Sequence, residues 1–387
     1  MSYAPISILG FGQTSFGELW DRSLLDLFQT AINLALDNAQ LKPTDIDAIY
    51  VSNMASGNYE TQLHLNSMVS SLLPHHPPAF RLEAACASGS LAVVAATHAL
   101  QAGTYHRVLV VGAEKMTDCD TTTSTKILSS AGNNYTEYGG TFPGLYSLLA
   151  DLYLTRYRLS QPTLRRALSL ISSRAHESAI TNPFAQFRRP ITAKAVSQST
   201  CVAGILRLLD CSPLSDGAAA LILTSDPDRT LYPHTPHLIG VGHAQDSLDL
   251  SSRQDLPHLT ATSSATNQVF AGSSLTLADI SAIELHDCFT IAEILAIEDI
   301  GFLPKGKAAR TLDRLGYYRE NLVVNPSGGL KACGHPVGAT GIKQIGFLSN
   351  YLTARNQHSP YGLTHNVGGT GGTVIMHLIE GGNKAHD

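Results

Sequence analysis

Short runs of apolar residues alternate along this chain with longer stretches whose apolar positions recur at helical spacing. Ala79-Phe-Arg-Leu82 reads as a short strand, and Leu91 to Leu100 follows as an uninterrupted helix. Ala218 to Thr224, Ile283-Glu-Leu285 and Val374 to Ile379 read as further strands, Gln161 to Ser178 and Ile342 to Leu352 as helices. Val108-Leu-Val-Val111 suits either a buried central strand or an edge that pairs with another copy.

The pattern repeats itself. Ile8-Leu-Gly-Phe-Gly12 returns as Leu238-Ile-Gly-Val-Gly242, and Leu41-Lys-Pro-Thr-Asp-Ile-Asp-Ala-Ile49 as Leu275-Thr-Leu-Ala-Asp-Ile-Ser-Ala-Ile283. A looser echo links Val108-Leu-Val-Val-Gly112 to Leu363-Thr-His-Asn-Val-Gly368. Two similar halves of alternating strands and helices predict a pseudo-symmetric α/β fold with buried strands. The expected division is 1–117 with 210–234 as the first half, 235–387 as the second, and 118–209 as an inserted loop domain. The insertion has a different texture, with Thr121-Thr-Thr-Ser-Thr125 and a tyrosine-rich stretch from Tyr135 to Tyr157. The Gly-x-Gly at 10 to 12 lacks the third glycine and the acidic residue of a dinucleotide site, so it reads as a structural turn.

Composition narrows the class. A chain of 387 residues, 43% hydrophobic with 32 glycines, suits a turn-rich α/β enzyme. A net charge of -5 argues against nucleic acid as partner, and no stretch reaches the roughly 18 unbroken apolar residues of a membrane span. The six cysteines form no CxxC pair, no signal peptide is evident, and Lys384-Ala-His-Asp387 does not match a peroxisomal signal. A reducing cytoplasm is the expected location.

The chemistry gathers at element ends. Cys86, in Glu83-Ala-Ala-Cys-Ala-Ser-Gly-Ser90, sits at a strand-to-helix turn, where the positive helix end favours a thiolate. Taken alone, it reads equally as a nucleophile or as a buried structural cysteine. His335 lies in a glycine-rich turn, Asn325 to Gly341; His286-Asp-Cys288-Phe ends a strand; and Thr364-His-Asn-Val-Gly-Gly-Thr-Gly-Gly-Thr373 opens the last one.

These blocks, with Gly10 to Trp20, Gly112-Ala-Glu-Lys-Met-Thr117, Asn182-Pro-Phe-Ala-Gln-Phe187 and Asp210 to Ala220, resemble a thiolase along the whole chain. The branch is the one with a His-Asp-Cys-Phe motif, that of archaeal-type acetoacetyl-CoA thiolases and the thiolase related to sterol carrier protein 2. The resemblance implies a duplicated five-layer αβαβα fold. It also implies reversible Claisen condensation of acyl-CoA with acetyl-CoA to a 3-ketoacyl-CoA, and the reverse thiolysis. On this reading Cys86 takes the acyl group and His335 accepts the thiol proton, its pKa expected near ~6.5. Cys288 serves as acid and base. His286 and His335 stabilise the enolate oxygen, and the N–H groups of Cys86 and Gly368 form a second oxyanion hole. The insertion covers the site and binds coenzyme A, with Arg188, Arg189, Lys194 and Arg207 as cationic candidates.

No cofactor or metal is expected beyond acyl-CoA, acetyl-CoA and CoA as substrates and products. The resemblance implies a homodimer or homotetramer, an uphill condensation that depends on a downstream partner, and, from the archaeal type, a hydroxymethylglutaryl-CoA synthase and a small scaffold protein as partners. Two departures stand out. Many thiolases carry their acid/base cysteine in the last glycine loop, where this chain has Asn366; and Cys333 occupies a place where lysine or arginine is expected. Cys333 reads as packing, and His75, His76, His98 and His106 as surface or core histidines; Glu293 is a weak candidate for positioning a histidine or a water. The competing functions are a decarboxylating, ketosynthase-like condensing enzyme and a non-catalytic scaffold. Cys288 speaks against the first, the presence of Cys86 and His335 against the second.

Overall fold

The computed structural model describes residues 4–225, 230–355 and 360–382. The first half runs β1 (Ile6–Gln13), α1 (Leu24–Ala39), β2 (Ala48–Ser52), α2 (Ser56–Tyr59), α3 (Leu65–Ser70), β3 (Ala79–Leu82), α4 (Ser88–Gln101) and β4 (Arg107–Glu114). The inserted segment follows with α5 (Thr121–Ser129), α6 (Phe142–Arg156), α7 (Gln161–Ala179), α8 (Ala193–Gln198) and a small hairpin, β5 (Cys201–Ala203) and β6 (Leu206–Arg207). Then come β7 (Gly217–Ser225), β8 (His237–Gln245), α9 (Thr260–Val269), β9 (Ile280–Glu284), α10 (Thr290–Ile300), α11 (Ala308–Leu315), β10 (Val323–Val324), α12 (Gly329–Cys333), α13 (Thr340–Arg355), β11 (Tyr361–Gly368) and β12 (Thr373–Glu380).

The strands order as β10-β9-β11-β12-β8-β1-β7-β4-β2-β3. The two five-stranded halves of the sheet pair at Ile6 with Leu238 and Ser7 with His237. Across that junction each strand has its counterpart: β1 and β8, β2 and β9, β4 and β11. These are the pairs of segments that echo one another in the sequence. β4 lies between β2 and β7, so the Val108–Val111 run is a central strand rather than an edge.

The layering follows from what each helix must bury. α4 and α13 pack on each other and on strands of both halves, forming the middle layer. α1 and α3 cover the first half-sheet from outside, and α9 covers the second. Contact between the middle helices demands glycine at their starts. A Cβ on Gly89 would stand 3.0 Å from the Gly341 backbone nitrogen, too close for a side chain. This approach brings the helix after Cys86 against the helix after His335.

The inserted segment has no core of its own. Tyr146, Leu149, Tyr153, Leu164, Leu168 and Ile171 share one apolar cluster with α9, α10 and α11 of the second half. α10 is buried along its whole length, its acidic groups included. Glu298 accepts from the Tyr153 hydroxyl (2.6 Å) and the Gly306 and Ala308 N–H groups, and Asp299 accepts from Leu259 N–H. Buried carboxylates persist only with such partners. The insertion is thereby fixed over the end of the second half-sheet. Among the described residues, no helix is long and apolar enough to cross a membrane.

Candidate active site

The turn carrying Cys86 is strained and braced. Ala85 adopts φ 51°, a left-handed conformation that costs an L-residue about 1–2 kcal/mol. Ser88 braces it: its hydroxyl donates to the Ala85 carbonyl (2.6 Å) and accepts from Ala84 N–H (2.9 Å). The result aims Cys86 at a cavity of about 400 Å³, lined also by Met116, Tyr146, Phe187, Cys288, Phe289, His335 and Gly369.

Three loops from the second half converge on this thiol. The 286–289 turn is held by Ser212 N–H donating to the Cys288 carbonyl (2.8 Å) and by Leu330 N–H donating to Asp287 (2.6 Å). The His335 loop is tied across the molecule. Its own N–H donates to Ser215 Oγ (3.0 Å), and Gly338 N–H donates to Glu114 (3.0 Å), a carboxylate that also takes Asn53 Nδ2, Met54 N–H and Ala55 N–H. The third loop follows β11. A Cys86 sulfur atom and one ring nitrogen each of His286 and His335 all lie within 4.8 Å of one another.

Burial sets the charge states, and it overturns two expectations. The helix end does not produce a resting thiolate: burial pushes the Cys86 thiol up to about 12, although Gly369 N–H donates to its sulfur. His335 is not poised near neutrality either; burial pulls it down to about 3. His286 is pulled well below its ordinary range by burial and by His335 beside it. Burial likewise raises Cys288 well above the usual thiol range. The resting site is a set of neutral thiols and neutral imidazoles.

The tautomer of His335 follows from its neighbour. Thr340 Oγ1 donates its single hydrogen to the Pro336 carbonyl (2.9 Å), so its 2.7 Å contact with His335 Nδ1 must be donated by the imidazole. A neutral His335 then carries its hydrogen on Nδ1 and presents a bare Nε2, a base. Nε2 of both His335 and His286 is buried without a hydrogen-bond partner.

Gly369, rather than Gly368, lines the Cys86 cavity. Gly368 borders a second groove, and a Cβ there would stand 2.5 Å from the Ala84 carbonyl oxygen. Arg188, Arg189 and Lys194 are exposed and Arg207 is half-buried, its guanidinium donating to the Ser199 carbonyl (2.9 Å); none of the four lines the cavity. Glu293 touches neither histidine. It is held by Arg174, Tyr318 and Asn325, and Asn325 in turn accepts from Leu285 N–H (2.6 Å), one residue before His286. Cys333 is fully buried, accepts from Asn182 Nδ2 (3.5 Å) and does not line the cavity.

Sequence reasoning passed over Tyr146. From α6 its hydroxyl donates to the Gly369 carbonyl (3.0 Å) and reaches the Cys288 thiol, while its ring packs on Phe289 at 4.7 Å. No spacing marks it out among the tyrosines of the insertion.

Comparison with known proteins identifies the family. Residues 6–227 match the family described as "Thiolase, N-terminal domain", and residues 242–380 match "Thiolase C-terminal domain-like". The chain is 40% identical to an acetyl-CoA acetyltransferase of Methanothermobacter thermautotrophicus, covering 97% of this chain and 99% of that one. It is 30% identical to human sterol carrier protein 2, over 97% of this chain and 72% of the relative. Among solved structures, the Ltp2-ChsH2(DUF35) aldolase superposes with a TM-score of 0.79 at 21% identity, covering 99% of each chain.

Proposed function

From the premise that the chain belongs to the thiolase family and is an acyltransferase, we propose that it cleaves and forms 3-ketoacyl-CoA through an acyl-Cys86 intermediate, with Cys288 as acid and base. The observation that carries this reading is the convergence of Cys86, Cys288 and His335 from distant segments on one cavity, with a His286 ring nitrogen within 4.8 Å of the Cys86 sulfur and of His335.

In the thiolysis direction, His335 Nε2 takes the Cys86 proton as the sulfur attacks the 3-keto carbon. The tetrahedral adduct collapses, breaking the C2–C3 bond. Cys288 gives its proton to the departing acetyl-CoA enolate and becomes a thiolate. The acyl-enzyme thus holds an imidazolium at His335 and a thiolate at Cys288, with no net change of charge. His335 Nε2 now carries a hydrogen and joins His286 in donating to the enolate oxygen. CoA enters, passes its thiol proton to Cys288 and attacks the thioester. Cys86 leaves as thiolate and recovers its proton from His335. The reverse sequence is the condensation.

Excluding water favours this order of events. A free ion pair is unfavourable in the empty cavity, so proton transfer accompanies attack on a bound substrate. When Cys288 gives up its proton, the Tyr146 hydroxyl turns its single hydrogen from the Gly369 carbonyl to the sulfur and supports the thiolate. Tyr146→Phe is expected to lower kcat for thiolysis by about 10–100-fold, the weight of one hydrogen bond to a charged group. Acetylation of Cys86 by acetyl-CoA should change much less. An unchanged kcat would remove Tyr146 from this role.

The substrates are CoA thioesters. Arg188 and Arg189 directly follow the cavity-lining Gln186 and Phe187, which supports their meeting the CoA phosphates at the mouth. A second copy of the chain pairing along the edge strand β3, where Phe80 is 44% exposed, supports the dimer expected of this family. A cytoplasmic location and a product-consuming synthase partner belong to the same reading. The Cys-His-His set has the composition of a metal site. The Asn366 amide beside His286 Nδ1 speaks against that use, because it leaves the hydrogen on Nε2.

The deciding assay is thiolysis of acetoacetyl-CoA by CoA, with mass spectrometry of the acid-quenched enzyme. Turnover with an acetyl group on the Cys86 peptide is expected. Condensation with a malonyl thioester but no thiolysis would transfer the chain to the decarboxylating enzymes. No turnover with either would make it a scaffold.

A further inference from the structure

Asn366 stands where the cysteine of many thiolases is expected, and its surroundings give it a task. It is fully buried at the end of β11. Its Nδ2 lies 3.0 Å from the Cys86 carbonyl oxygen and 3.1 Å from His286 Nδ1. We propose that Asn366 is the positioning residue that fixes His286 as its Nε2–H tautomer, so that the two imidazoles facing Cys86 arrive in opposite roles, one a donor and one a base.

The argument rests on what each atom is able to do. A backbone carbonyl only accepts, so the Asn366 atom facing Cys86 has to be its NH2. The same NH2 faces His286 Nδ1, and an amide nitrogen has hydrogens to give and no lone pair to offer. His286 Nδ1 must therefore be the bare nitrogen, and the hydrogen of the neutral ring sits on Nε2, which is buried without a hydrogen-bond partner. Thr340 imposes the reverse on His335, whose hydrogen sits on Nδ1. The rings meet edge to face, with centroids 5.0 Å apart and planes at 84°.

Burial keeps His286 neutral, so its tautomer decides whether it is able to serve a developing oxyanion. With the hydrogen on Nδ1 instead, Nε2 would turn a lone pair toward the enolate oxygen and repel it. The same Asn366 amide anchors the Cys86 turn, which couples donor placement to nucleophile placement across 280 residues of sequence.

This inference rests on the proposed role of His286 as donor to the substrate oxygen, but its first test does not. Protein labelled with 15N-histidine, with His286→Gln identifying the signals of residue 286, reads the tautomer through long-range proton–nitrogen correlations. A protonated Nε2 and a bare Nδ1 are expected in the resting wild type. A hydrogen on Nδ1 there would overturn the proposal outright, whether or not the enzyme turns over acetoacetyl-CoA.

Asn366→Asp keeps the shape but cannot donate, so a hydrogen should appear on His286 Nδ1. kcat for thiolysis should fall by about 10²–10³-fold, as when one oxyanion-hole donor is lost, with KM within about threefold. Nδ1 remaining bare in this variant, with kcat unchanged, would also overturn the assignment. If the tautomers behave as expected but the wild type shows no thiolysis, the tautomer lock stands and the functional reading falls.

Discussion

Cys288→Ala is expected to lower thiolysis of acetoacetyl-CoA by about 10²–10⁴-fold, the usual weight of a general acid–base group, while Cys86 continues to exchange acetyl groups between CoA molecules. The two reactions differ in what leaves. Cleavage of the C2–C3 bond expels a carbanion equivalent, which needs a proton at carbon as it departs. Exchange at the thioester expels a thiolate, which departs readily without an acid. Cys288 and Cys211 both line the cavity with Cys86, and Cys288 is the one that interacts with the Cys86 thiol; among the described residues no lysine or arginine lines that space. Cys86→Ala should abolish both reactions, because both pass through the acyl-enzyme. Measuring isotope exchange between acetyl-CoA and labelled CoA alongside thiolysis separates the two cysteines. Equal losses in both reactions for Cys288→Ala would make it a structural support of the 286–289 turn. Full thiolysis in that variant would move the acid elsewhere, and Cys333 is not the alternative, since it is buried against Asn182 outside the cavity.

Much of this arrangement is legible before any coordinates, and the reason is local. Cys86, His286, Cys288 and His335 each sit at the end of an element whose apolar period is strong, so the turn that presents each one is marked by its neighbours. The repeat is legible for a similar cause. β1 and β8, and β2 and β9, must bury the same faces in the same order, and their residues match accordingly. Tyr146 is different. Its contact with Gly369 spans 223 positions, and nothing within α6 distinguishes it from Tyr153, which instead holds Glu298. Asn366 was visible as an oddity but not as a tautomer lock, because that role exists only once Cys86 and His286 stand on either side of it. The charge states were misread for a physical reason as well. A helix end is a local feature of the chain, whereas desolvation depends on everything packed around the site, and here desolvation dominates. The insertion reads as a separate unit from its texture, yet its apolar residues complete the core of the second half.

That same desolvation predicts a steep loss of stability in mild acid. His286, His335, His365 and His377 are fully buried, and burial lowers all four, the last three to about 3. Above pH ~6.5 a histidine is neutral in both folded and unfolded chains, so these groups cost nothing. As pH falls through that value the unfolded chain binds protons that the folded one refuses. Stability is therefore present above the unfolded pKa and is lost progressively toward the folded one. At pH 5 each of the last three histidines disfavours the folded state by about 2 kcal/mol, roughly 6 kcal/mol together, and His286 acts in the same direction. Glu114 and Asp287 act in the opposite sense. Burial raises both to about 7, so the folded chain takes up their protons before the unfolded one does. Together they return about 4 kcal/mol over the same interval, leaving a net loss of about 2 kcal/mol, to which His286 adds, against a typical stability of roughly 5–15 kcal/mol. Urea midpoints should be highest near pH 7 and fall clearly by pH 5, the unfolded chain taking up protons as they do. His365 offers the internal check, since it lies outside the cavity and bonds through Nε2 to Thr262 Oγ1 at 3.1 Å. His365→Gln should flatten the slope by about one proton whatever it does to the absolute stability. A midpoint that stays level from pH 7 to 5 would mean that these imidazoles are solvated enough to protonate in place, and the neutral resting site derived for Cys86 would fall with it.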